Sequence, residues 1–136
     1  MNNFERNLKQ LLDTDVDPSM FPVVKDKSIY IGKYKIHCNE KFTVRYENNI
    51  FSLGQMYTKY AALALVKSYI KQKYSRSRIF DLDRRLYHNF NNAKFYKNVI
   101  DKSQDSFQVE TSSIRLEVAN KEIAYARSML RKMLRC

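Results

Sequence analysis

Lys33, Lys35 and His37 alternate along one short segment, and Lys41, Thr43 and Arg45 alternate along the next. In an extended chain successive side chains point to opposite faces. This period therefore puts Lys33, Lys35, His37, Lys41 and Arg45 on one side and Tyr34, Ile36, Cys38, Phe42, Val44 and Tyr46 on the other. Cations gathered on one face can neutralise phosphates and release their counterions, which is the chemistry of polyanion binding. Lysines on exposed strands also serve solubility and edge protection, and the pattern alone leaves that use open.

A second row of candidates follows. Tyr57, Tyr60, Ala64, Lys67 and Lys71 recur at helical spacing, aromatic at one end and cationic at the other. Tyr57 and Tyr60 could stack bases, or pack at the rim of a core with their hydroxyls in water. The run Lys67, Lys71, Lys73, Arg76 and Arg78 could contact phosphates, or simply end a helix with solvated cations that suit its dipole.

Residues suited to catalysis or metal binding are sparse. Asp81 and Asp83 precede His88 at spacings that suit shared metal ligation on a helix poorly, and they read as a surface acid pair. Glu110 and Glu117 fall on one helical face, with Arg115 and Lys121 close enough for ordinary ion pairs. His37 and Cys38 are adjacent on a strand and point apart, which predicts an exposed His37 and a buried Cys38. Cys136 is expected to be exposed, and no C-x-x-C pair or Gly-rich phosphate loop occurs. The expectation is a non-enzymatic protein with no metal and no cofactor.

The elements that must position these residues follow from the breakers. Both glycines and both prolines lie before Gln55, so the remainder is expected to be helical and the first part a small sheet. Phe4, Leu8, Leu11 and Leu12 predict a short amphipathic helix over 3–12. An acidic connector follows to residue 27, anchored by Met20 and Phe21. Three antiparallel strands are expected at Ser28 to His37, with a bend or bulge at Gly32, at Lys41 to Glu47 and at Ile50 to Leu53. A helix from Gln55 to Lys73, with Met56, Leu63, Val66 and Ile70 on its apolar side, covers them.

After a basic break at Ser75 to Arg78, two apolar registers appear. The first holds Ile79, Leu82, Leu86, Ala93, Tyr96 and Ile100, and the second holds Leu116, Ala119, Ile123, Ala126, Leu130 and Met133. The change of register favours a hairpin turning at Ser103 to Ser106, with Asp105 or Ser106 as N-cap, over one long helix bent by a stutter. The fold class is thus α+β. Residues 1–27 form a helix and connector, 28–78 a sheet-plus-helix binding module, and 79–136 a coiled-coil-like hairpin.

Composition bounds the function classes. The chain has 136 residues and a net charge of +11, which points to an anionic partner. No apolar run approaches the ~20 residues that span a bilayer, and Met1 to Asp13 lacks the apolar stretch and cleavage site of a secretory signal. A reducing compartment is expected from the cysteine usage.

Residues 28–73, with the segment Leu53-Gly54-Gln55-Met56-Tyr57-Thr58-Lys59-Tyr60-Ala61-Ala62 leading into the helix, resemble two kinds of sheet-reading DNA-binding domain. These are the domains of plant ethylene-response transcription factors and the arm-type domains of phage tyrosine integrases. The sheet here has no tryptophan and carries Lys where the plant domains carry mostly Arg. The resemblance implies that Lys33, Lys35, Lys41 and Arg45 face a DNA major groove. The Asn, Lys, Ile, Tyr and Phe usage also resembles that of small proteins from tailed phages of marine cyanobacteria. The resulting expectation is a phage-encoded protein of the host cytoplasm or the virion. It would bind nucleic acid, DNA ahead of RNA, through Lys33, Lys35, Lys41, Arg45, Lys67, Lys71, Arg76 and Arg78, and form homo-oligomers through its C-terminal helices. The alternative is a virion structural or assembly component that binds other proteins, acidic ones included.

Overall fold

A computed structural model describes residues 22–25, 27–47, 49–72 and 75–135. The helix expected over 3–12, the anchors Met20 and Phe21, Lys73 and Cys136 lie outside the described residues. The class is α+β: among the described residues five antiparallel strands are followed by three helices, the last two long.

The strands are β1 (Pro22–Lys25), β2 (Ser28–Ile31), β3 (Tyr34–Cys38), β4 (Phe42–Tyr46) and β5 (Gly54–Met56), hydrogen-bonded in sequence order. Two expectations are corrected here. The segment read as one strand with a bulge is a hairpin, because Gly32 takes φ 59°, a left-handed conformation that reverses the chain within two residues. Residues 50–53 form a loop, and the last strand begins at Gly54, where a Cβ would come within 2.6 Å of the Phe80 ring. Strand β1 was hidden in the acidic connector. Its Val23-Val24 pair favours a strand, and its proline stands first, where no ladder hydrogen bond is lost.

Helix α1 (Lys59–Lys71) starts four residues later than expected, since Met56 belongs to β5 and is buried there. Thr58 is its N-cap and Gln72, at φ 50°, its left-handed C-cap. Residues Ala61 to Ser68 are all buried, so α1 is covered all round, by the sheet on one side and the long helices on the other.

Helices α2 (Arg76–Lys102) and α3 (Ser106–Arg135) pack against each other as a hairpin, each roughly 40 to 45 Å long. The basic stretch expected as a break is instead the first turn of α2, with Ser75 as N-cap. At the turn the Asp105 carboxylate accepts a hydrogen bond from the Phe107 amide at 3.0 Å, capping α3 as expected of Asp105. Ala119, Ile123, Ala126, Leu130 and Met133 are buried along the expected seam. On α2 only the start of the expected register, Ile79, Leu82 and Leu86, is buried; Ala93, Tyr96 and Ile100 are half-covered. The far half of the hairpin projects as a two-helix arm.

Asp83 joins the two halves. Its carboxylate accepts hydrogen bonds from the Tyr57 amide at 2.8 Å, the Thr58 amide at 2.9 Å and the Thr58 hydroxyl at 2.8 Å. The expectation of a surface acid pair is corrected: Asp81 is exposed, 3.9 Å from Arg85, whereas Asp83 is 2% exposed. Burial pushes its carboxyl pKa up, and the three hydrogen bonds pull the other way. Asp83→Ala leaves two part-buried amides and a hydroxyl without their acceptor and a cavity at a buried position, so we expect denaturant unfolding to show a loss of about 3 kcal/mol. Asp81→Ala should change stability by less than about 0.5 kcal/mol.

Candidate nucleic-acid interface

Register fixes which side chains share the outer face of the sheet. Val23 pairs with Tyr30, Tyr30 with Lys35, and Lys35 with Arg45, so these four form one row across β1 to β4. Lys25, Ser28, His37, Thr43 and Gln55 form the next row. The opposite face carries Val24, Ile29, Ile36, Val44 and Gly54, of which Ile29, Ile36 and Val44 are buried against α1. The outer face thus has no acidic side chain within its five strands. The expected two-faced alternation holds for Lys35, His37, Thr43 and Arg45.

Lys35 and Arg45 are directly opposite each other, and the Lys35 ammonium stands 5.6 Å from the centre of the Tyr30 ring. At one end of the face, Lys27 and Lys41 line an open concavity with Cys38, Asn39, Glu40, Thr43 and Gln55. Lys25 and Lys27 are exposed cations outside the expected set, since the acidic residues around them give that stretch the pattern of a connector. The signal that could have found them is the valine pair beside them. His37 is half-buried, with Nδ1 3.3 Å from the Ser28 hydroxyl. Cys38 is also half-buried rather than buried, its thiol donating to the Ile36 carbonyl at 3.7 Å, and burial pushes the thiol pKa up.

The other expected cations do not join this face as a group. Lys33 occupies the β2–β3 turn and pairs with Glu47 at 3.4 Å, both largely exposed, so the turn removes it from the strand face. Lys67 is 1% exposed, and its ammonium donates to the Leu134 carbonyl at 2.8 Å. It therefore cannot meet a phosphate. Its sequence position follows an unbroken apolar run, Ala61 to Val66, which is the mark of a helix buried on every side rather than on one. Lys71 is half-buried near the end of α1. Arg76 lies over the Tyr69 ring at 4.5 Å, and Arg78 donates to the Tyr125 hydroxyl at 3.4 Å; both are exposed on the helical side of the molecule.

Tyr57 is not on the helix with Tyr60. One side of its ring stacks on Tyr87 at 3.9 Å, and the Lys41 ammonium lies 5.1 Å from the ring centre. These neighbours fit the reading of Tyr57 as a ring packed at the rim of the core rather than as a base-stacking surface. Tyr60 is exposed. Among the described residues no three His, Cys, Asp or Glu side chains are grouped to hold a metal ion, and no helix is long and apolar enough to cross a membrane.

Because Lys67 ties α1 to the last turns of α3, Lys67→Ala should lower unfolding stability by about 2 to 4 kcal/mol through a cavity and a carbonyl deprived of its donor. Compared with protein-family models, curated proteins and solved structures, the chain matches none.

Proposed function

We propose that the protein is a non-enzymatic binding protein whose outer sheet face holds the phosphate backbone of nucleic acid. The observation that carries this reading is the juxtaposition of Lys35 and Arg45 across β3 and β4, on a five-stranded face with no acid in its strands. Lys25, Lys27 and Lys41 extend the positive field toward one end of that face, where among the described residues Glu40 is an acidic neighbour. Cations on a sheet face contribute counterion release whatever the base sequence, so the affinity belongs mainly to the backbone. Phage origin, with residence in the host cytoplasm or the virion, accords with this reading through the residue usage.

A second reading has its own observation. On the projecting arm Phe95, Phe107, Ile114 and Val118 are each more than half exposed, and Phe107, Ile114, Val118 and Tyr125 recur as a stripe beside the buried seam. Exposed apolar stripes of this kind mark surfaces for other proteins. It supports association through the hairpin, as a homo-oligomer or within a virion assembly, and it is compatible with a nucleic-acid face on the opposite layer.

A titration against nucleic acid at several salt concentrations tests the first reading. Lys35→Gln and Arg45→Gln should each weaken binding similarly for all base sequences and reduce the salt slope by about one unit. A folded variant with Lys35, Lys41 and Arg45 all changed to Ala that binds as tightly as the parent would remove the sheet from the mechanism.

A further inference from the structure

We propose that the outer sheet face takes single-stranded nucleic acid in preference to duplex, with Tyr30 as the platform on which a base stacks. The inference rests on the phosphate-binding reading above and specifies the form of the ligand.

Width is the first argument. Five strands spaced ~4.8 Å apart span roughly 19 Å, whereas the major groove of duplex DNA is ~12 Å wide and admits a helix or a two-stranded ribbon. A face of five strands is broader than the groove, so a duplex would meet it along its rim phosphates. A flexible single strand can lie across the whole face.

The second argument is what stands on that face. Tyr30 occupies the second strand of the outward row Val23, Tyr30, Lys35 and Arg45, half-exposed, with cations on its β3 and β4 side. An aromatic ring beside Lys and Arg supplies both halves of single-strand recognition, a surface for a base and charges for the phosphates that flank it. The Lys35 ammonium over the ring sits on a flexible stem, and an incoming base can displace it toward a phosphate. In the neighbouring row the half-buried His37 and Thr43 and the exposed Gln55 carry donors and acceptors beside that ring. Those groups can pair with base edges that a duplex keeps occupied.

The test uses the full chain and a fluorescein-labelled mixed-sequence DNA oligonucleotide of about 15 nucleotides, alone and annealed to its complement, at one low salt concentration. Binding to the single strand should be about tenfold tighter or more, and Tyr30→Leu, which keeps an apolar side chain without the ring, should weaken it about tenfold. Tyr30→Phe should keep the parent's affinity. Equal or tighter binding to the duplex overturns the inference while leaving the phosphate-binding reading intact. Single-strand binding that is unchanged in a folded Tyr30→Leu variant overturns it as well. Failure to bind either form overturns both.

Discussion

The buried carboxylate of Asp83 is the interaction on which the arrangement of the layers depends. It reaches from α2 to the junction between β5 and α1, and there it accepts from two successive amides and the Thr58 hydroxyl. The same hydroxyl oxygen accepts from the Ala61 amide at 3.4 Å. One acid therefore fixes the end of the sheet, the start of the central helix and the position of the hairpin at once. A buried charge of this kind is costly unless its lone pairs are met, and here three donors meet it.

Lys67 completes the arrangement from the other end of α1. Its ammonium meets a carbonyl in the last turn of α3, where the helix dipole favours positive charge. With polar ties near both ends, α1 can be buried on all sides without leaving its orientation to apolar contacts alone. Hydrophobic burial supplies the driving force but is not directional; the two polar contacts select one placement of sheet and hairpin.

Because α1 lies between them, the layers leave two surfaces with different chemistry. The outer sheet face is cationic and polar, with the Tyr30 ring in one of its two rows. The projecting arm of the hairpin is lined by apolar side chains that nothing in the described fold covers. Cations also gather on the hairpin, and three of them, like Lys35 on the sheet, lie over aromatic rings: Arg85 over Tyr125, Arg115 over Tyr96 and Arg127 over Phe90. Separation of this kind allows one side to carry charge-driven contacts and the other to carry packing, without competition for the same residues.

The periodicities were legible from residue order alone. Alternation over Lys35 to Cys38 and Phe42 to Arg45 gave the two faces of β3 and β4, and the 3–4 spacing from Ala119 to Met133 gave the seam of α3, because each reports a local backbone geometry. Asp105 was legible as a cap for the same reason. Burial of polar side chains was not legible. Asp83 and Lys67 have the residue types of a surface, and only the tertiary structure brings Tyr57, Thr58 and the Leu134 carbonyl to them from 25 or more positions away. Strand number was decided the same way. A two-residue turn at Gly32 and an edge strand at Pro22–Lys25 leave little periodic signal in so few residues, since a short strand is defined by the neighbour it pairs with. That pairing widened the face from three strands to five, moved Lys33 into a turn, and placed Tyr30 between Val23 and Lys35.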